Sequence, residues 1–151
     1  MSTIFPFRPD PKPVPKEKAK KGIPKVSNKA KFTCSDGTKV SQAYINRKLS
    51  EIECVGMCEA YPSERAIDRD HTLAQRRCKE LSKSELIWDT GNIAMSSRLA
   101  HCEWEAYKSG AFEDHANVVE RMLYVKKHDP ETFIKRKMCI SNYKVLKAIE
   151  K

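Results

Sequence analysis

Apolar positions are scattered over the first thirty residues and become organised from Phe32 onward. Phe32-Thr33-Cys34 and Thr38-Lys39-Val40 flank Ser35-Asp36-Gly37, and an Asp-Gly turn between two such runs predicts a hairpin. Ile45, Leu49 and Ile52 recur at helical spacing behind Ser41, a good capping residue, so a helix is expected to about Glu53. Tyr61-Pro62-Ser63 reads as a turn, and Arg65-Ala66-Ile67 as an extended segment that delivers Asp70-His71 to the end of a strand. Thr72 and Gln75 have capping-box spacing for a short helix through Leu81, with Leu73, Cys78 and Leu81 as its apolar face. Glu85-Leu86-Ile87-Trp88 reads as a second strand, Asp89-Thr90-Gly91-Asn92 as a turn, and Ile93-Ala94-Met95 as the returning strand. A helix from Ser97 to Lys108, ended by Gly110, completes a strand–loop–strand–helix unit.

The last third is predicted to be helical. Phe112, Ala116, Val119 and Leu123 share one face of a helix over about 113–127. Asp129-Pro130-Glu131 is a restart signal, a capping acid followed by proline at the first helical position. Ile134, Met138, Val145 and Ile149 line the next helix, whose other faces carry Lys135, Arg136, Lys137, Lys144 and Lys147 as candidates to flank a polyanion. Trp88 and Trp104 are expected in the core, and His115 and His128 on the surface.

Composition changes the picture mainly at the N-terminus. Residues 1–31 hold Pro6, Pro9, Pro11, Pro13, Pro15 and Pro24, a density that opposes helix and sheet, so a disordered tail is expected there. The same stretch has nine basic residues against two acidic ones, within a formal charge of +9 for the whole chain. That balance favours a polyanionic partner, and a flexible cationic arm adds salt-sensitive, sequence-independent affinity for phosphates. No apolar run approaches the roughly 20 residues of a membrane span. The N-terminus also lacks the apolar core of a signal peptide, so no membrane association and a cytoplasmic location are expected. Six cysteines in a reducing compartment read as free thiols or metal ligands. Cys54 and Cys58, four apart across Gly56, are either half of a structural Zn²⁺ site completed by Cys78 or Cys102, or small buried hydrophobes.

The candidate chemistry lies in Asp68–Glu105. Hydrolysis of a phosphodiester needs a base for water and a cation for the charge that develops on phosphate. An imidazole is a suitable base near neutral pH, and a carboxylate with an imidazole can hold one divalent ion while leaving positions open. An amide nearby can orient the base. Asp70-His71, Asn92 at the turn, and His101 nine residues later supply those groups.

These residues resemble the motif of the HNH (His-Me finger, ββα-metal) endonucleases. The resemblance covers about forty residues, Asp68 to Lys108. It implies that His71 is the general base, Asn92 its positioning residue, and Asp70 and His101 ligands of one Mg²⁺ or Mn²⁺. Where colicin-type DNases of this family carry a further histidine, this chain has Glu105, one turn after His101 on the same helical face and a candidate third ligand. The second CxxC that accompanies zinc in many members is absent: its places hold Ser97 and Ala100. Arg69, Arg76, Arg77, Lys79 and Lys108 are candidates to grip phosphate.

The expected architecture is therefore α+β: a ββα-metal core with extra helices behind a disordered basic tail. Residues 1–31 form the tail and 32–151 the domain, with its motif core at 64–108 and C-terminal helices at 112–150. The expected activity is metal-dependent cleavage of double-stranded or branched DNA, in a phage or mobile-element setting. The rivals are a non-catalytic nucleic-acid-binding protein, with or without zinc, and an interaction protein that works through its C-terminal helices.

Overall fold

The computed structural model describes residues 11–14 and 28–151. Most of the expected disordered tail, residues 1–10 and 15–27, lies outside them. Among the described residues the architecture is α+β, with two small antiparallel sheets and six α-helices. No helix among the described residues is long and apolar enough to cross a membrane.

The hairpin forms as predicted: β1 (Phe32–Thr33) pairs with β2 (Lys39–Val40), and Gly37 takes the left-handed conformation the turn requires. Ser41 caps α1 (Gln42–Ser50), its hydroxyl accepting from the Tyr44 N–H at 3.1 Å. After a long loop comes β3 (Asp68–His71), antiparallel to β4 (Ile93–Ser96), with Asp70 opposite Ala94 and His71 opposite Ile93. Ser97 caps α3 (Arg98–Glu105), whose chain then turns at Gly110 with φ 79°.

Between β3 and β4 two expectations are corrected. Residues Ser84–Trp88 form a 3-10 helix, not a strand. Leu86 and Ile87 are adjacent and both buried, whereas a strand would send one of them outward. The capping box of Thr72 does not form either. The short helix α2 (Gln75–Glu80) begins after Ala74 with no side-chain cap, because the Thr72 hydroxyl is buried and accepts from Arg121 Nε at 2.9 Å.

The C-terminal helices differ in register and number from the prediction. Helix α4 (Val118–His128) starts late, since His115 is extended and the Ala116 N–H donates to the Ala60 carbonyl at 3.0 Å. Its buried face is Val118, Arg121, Met122 and Val125; Ala116 is exposed, Val119 is half-buried and Leu123 is 40% exposed. His115, expected at the surface, is buried beside Tyr61. Asp129 does cap α5 (Pro130–Lys137), but this helix and α6 (Tyr143–Ile149) are separate. Asn142 caps the second one, and the Glu113 carboxylate holds the Ser141 and Asn142 N–H groups at 2.8 and 3.0 Å. Ile134 and Met138 consequently face solvent, while Phe133, Arg136, Val145 and Ile149 are buried.

One main core joins the hairpin, α1, the 3-10 helix and the three C-terminal helices around Ile45, Ile87, Trp104, Phe112, Met122 and Ile149. Trp104 is fully buried, and Trp88 packs half-buried against the same cluster. Cys58 sits in a small second cluster with Ala60 and Ala100. All six cysteines are free, Cys54 half-buried.

Candidate functional site

The β3–β4 pair and α3 bring the acidic and imidazole groups together. Ser97 starts α3 directly after β4, so His101, one turn into the helix, lies over the β3 residues Asp68 and Asp70. His101 Nδ1 is 3.1 Å from Asp68 Oδ2, and its Nε2 is 3.6 Å from Asp70 Oδ1 and 2.8 Å from Glu105 Oε1. Asp68 also pairs with Arg98 at 3.2 Å. Burial disfavours the His101 imidazolium, but the hydrogen bond to Asp68 and the charges of Asp70 and Glu105 outweigh it and raise the pKa.

Asp70 is buried and its two oxygens have different surroundings. Oδ2 accepts from Arg121 Nη1 at 3.0 Å and from the Ser96 hydroxyl at 3.4 Å. Oδ1 faces His101. Arg121, on α4, is itself buried, and its guanidinium stacks on the Trp104 indole at 3.9 Å. The pair thus fixes one carboxylate oxygen and leaves the other directed at the imidazole.

His71 is half-buried, with Nε2 2.8 Å from the Ile87 carbonyl oxygen. A carbonyl only accepts, so Nε2 carries the proton and Nδ1 is the lone-pair nitrogen. Burial lowers the His71 pKa, against the opposing pull of the Ile87 carbonyl and Asp70, which favours the neutral, basic form.

Asn92 touches no atom of the His71 ring among its hydrogen bonds. Its Oδ1 accepts from the Leu73 N–H at 2.6 Å, and its Nδ2 donates to the Leu73 and Leu86 carbonyls at 3.1 and 2.9 Å. Its own carbonyl accepts from the Thr72 N–H at 2.7 Å. The amide thereby clamps the residues that follow His71 to the residue that precedes Ile87, the acceptor of the His71 ring. Its side chain therefore fixes backbone on both sides of the His71–Ile87 contact and not the imidazole itself.

Asp70, His71, His101 and Glu105 line one open cleft of about 810 Å³, with Arg69, Arg77, Lys135 and Arg136 among its other walls. The expected phosphate grips are only partly gathered there. Arg69 donates to the Leu49 and Ile52 carbonyls, tying β3 to the end of α1. Arg77 is held by Asp129 at 2.7 Å and by Glu80 and Glu131. Arg76 points into solvent beside Glu80, Lys79 donates to Gln42 Oε1 at 2.6 Å over the Phe32 ring, and Lys108 is exposed in the turn after α3; none of the three lines the cleft.

The burial of two residues at the site is not evident from sequence. Arg121 falls on the wrong face of the predicted helix, and Arg136 falls on a basic face that is a candidate to flank a polyanion, yet both are buried. The usable signal is a lone arginine spaced with apolar residues, at Val118-x-x-Arg121-Met122 and Phe133-x-x-Arg136.

Two donors on one divalent ion with bonds of about 2.1 Å sit about 3 Å apart at right angles and about 4.2 Å apart when opposite. The 3.6 Å between Asp70 Oδ1 and His101 Nε2 falls inside that range. His101 Nε2 lies 2.8 Å from the Glu105 carboxylate, which only accepts, so Nε2 carries a proton in this structure. A metal there would replace that proton and the Glu105 hydrogen bond, with Asp68 staying on Nδ1 as the carboxylate behind a ligating histidine. Among the described residues no three His, Cys, Asp or Glu groups are arranged as a ready metal centre. Glu105, with its side chain 69% exposed, hydrogen-bonds His101.

No family model matches the chain, and no curated protein or solved structure matches it either.

Proposed function

We propose that this protein is a divalent-metal-dependent DNA endonuclease of the HNH (His-Me finger, ββα-metal) type, cutting phosphodiester bonds in duplex or branched DNA. One observation carries the proposal: Asp70 Oδ1 on β3 and His101 Nε2 on α3, the helix that follows β4, lie 3.6 Å apart, with His71 next along β3 in the same cleft. Asp70 and His101 would hold one Mg²⁺ or Mn²⁺. That ion, when bound, supplies electrostatic stabilisation of the charge on the phosphate and the leaving oxygen. His71 takes the proton of the attacking water on Nδ1, because Nε2 is committed to Ile87. Asn92 keeps that ring and its acceptor in register, Asp68 holds the His101 tautomer, and Arg121 holds the Asp70 carboxylate. The family resemblance implies 3′-hydroxyl and 5′-phosphate ends.

The test is nicking of a supercoiled plasmid with Mg²⁺, Mn²⁺ or EDTA. Cleavage is expected to need metal, and His71→Ala to slow it by about 10²–10⁴-fold, the usual worth of a general base, while duplex binding persists. Binding without cutting under either metal would favour the non-catalytic nucleic-acid-binding reading instead.

A further inference from the structure

The cations around the cleft are not equivalent. Arg77 and Arg121 have carboxylate partners in Asp129 and Asp70, and Lys135 has Glu131 at 3.4 Å. Arg69 also lacks a carboxylate among the described residues, but it is exposed and donates to the Leu49 and Ile52 carbonyls. Arg136 differs from Arg69, Arg77 and Lys135 in being buried. It is only 7% exposed, yet it lines the cleft, and it has no carboxylate partner among the described residues. Its Nη1 donates to the Trp104 carbonyl at 2.8 Å, while its buried Nε has no acceptor. The guanidinium stacks on Trp104 at 4.0 Å and over Tyr107 at 4.5 Å. Burial and the positive charge of Arg121 push its pKa down to about 10, which still leaves it a cation at neutral pH. A buried charge without a counter-charge is costly, and a site that keeps one open to a cleft is complementary to an anion.

The reacting phosphate belongs at Asp70, His71 and His101. Arg136 reaches the cleft from α5, and its guanidinium lies over Trp104, a turn beyond His101 on α3, and Tyr107, in the 3-10 turn after that helix. We infer that Arg136, with Lys135 at the cleft mouth, forms a subsite for a backbone phosphate of the bound strand other than the one that is cut. The identity of that strand rests on the nuclease reading; the preference for an anion rests on Arg136. A guanidinium already stacked and held by one carbonyl presents its remaining donors at little ordering cost, which suits a phosphodiester better than a free lysine would. The subsite makes the protein require substrate that extends past the cut on one side.

The experiment uses the full chain in EDTA, so that binding is measured without turnover. A fluorescein-labelled duplex carries a single neutral methylphosphonate, walked one position at a time along a strand, and affinity is read by fluorescence anisotropy. Wild type should lose about ten- to a hundredfold at one position or two adjacent positions, the worth of one charge-assisted hydrogen bond. Arg136→Gln should flatten the profile at that position only, and Arg136→Lys should keep part of the penalty. Lys135→Ala, a rim substitution that leaves the core untouched, should reduce the same penalty and covers the case in which Arg136→Gln does not fold. A wild-type profile without a position-specific penalty overturns the inference, and so does a penalty unchanged in Arg136→Lys and Lys135→Ala. A chain with the predicted profile that cuts no DNA with Mg²⁺ or Mn²⁺ keeps the subsite and loses the nuclease reading. A chain that cuts DNA with no such profile does the reverse.

Discussion

The carboxamide of Asn92 is buried and directs one oxygen and two hydrogens at backbone groups of Leu73 and Leu86. Each of those groups is out of reach of water, so the amide cannot be replaced by an isostere without leaving one of them unpaired. Asn92→Asp keeps the acceptor for the Leu73 N–H but turns a second oxygen toward two carbonyls. It should destabilise the fold by about 2–4 kcal/mol, read as a lower urea midpoint at unchanged slope. A midpoint within error of wild type would remove the clamp from the account. His115 is a second residue whose environment dictates its state. Its Nε2 lies 3.3 Å from Glu103 Oε1, and its Nδ1 is buried with no partner among the described residues. A proton on Nδ1 would be a buried, unpaired N–H, and burial accordingly lowers the pKa despite Glu103. With the folded value below the unfolded one of about 6.5, the unfolded chain binds the extra proton first on acidification. The stability due to neutral His115 is present above pH 6.5 and is lost as the pH falls from there through the lowered folded value. Subtracting the unfolding free energy of His115→Gln from that of wild type isolates this contribution from the other histidines, and the difference should shrink between pH 7 and pH 5. A difference that grows on acidification would mean that the ring is charged in the fold.

At the level of elements, local signals were legible wherever a side chain and the backbone settle the matter between themselves. Ser41 and Asp129 cap the helices they were expected to cap, the helix expected from Ser97 starts there, and Asp36-Gly37 closes the expected hairpin. Asp70, His71 and His101 share a cleft because β3 pairs with β4 and α3 starts directly after β4. The strand at 93–95 and the start of the helix were legible; the partner of that strand was not, since residues 85–88, expected in that place, lie in a 3-10 helix and the partner is β3. What was not legible depended on partners distant in sequence. Thr72 abandons its capping role for Arg121, the Ala116 N–H is taken by Ala60, and residues 84–88 wind as a 3-10 helix because two adjacent apolar side chains are both buried. That last departure has a use: Ile87, outside any ladder, has a carbonyl free for His71. The Asp70–Arg121 pair is another tertiary effect of this kind, joining β3 to α4 at 3.0 Å with both side chains buried. Arg121→Met removes one member and leaves a buried carboxylate, and should cost about 3–5 kcal/mol. Asp70→Asn likewise strands the guanidinium. The double substitution should cost less than the two together by about 1–3 kcal/mol, measured by urea denaturation of all four proteins. Strict additivity would show that the two groups are held independently.

Charge is a property of the whole molecule, and its distribution separates loose binding from placement. Residues 1–27 contribute seven lysines and arginines against two acidic residues, a large part of the chain's +9. The cleft cations are mostly engaged: Arg69 by carbonyls, Arg77 by three carboxylates and Lys135 by Glu131. Paired cations release few counter-ions when DNA arrives, whereas unpaired ones each replace a condensed counter-ion. The proposed division is one in which the excess positive charge of residues 1–27 supplies sequence-independent affinity and the cleft supplies register through few, well-held groups. Deleting residues 1–27 should make the dependence of log K on log salt shallower by about 0.9 for each duplex phosphate that the tail neutralises in the wild type. Metal-dependent cutting at low salt should keep its positions, because Asp70, His71, His101 and Arg136 all lie beyond the deletion. The comparison is a salt titration of duplex binding for both proteins, followed by mapping of the cut ends. Equal slopes would assign the electrostatic affinity to the folded domain, and displaced cut positions would mean that the tail also sets register.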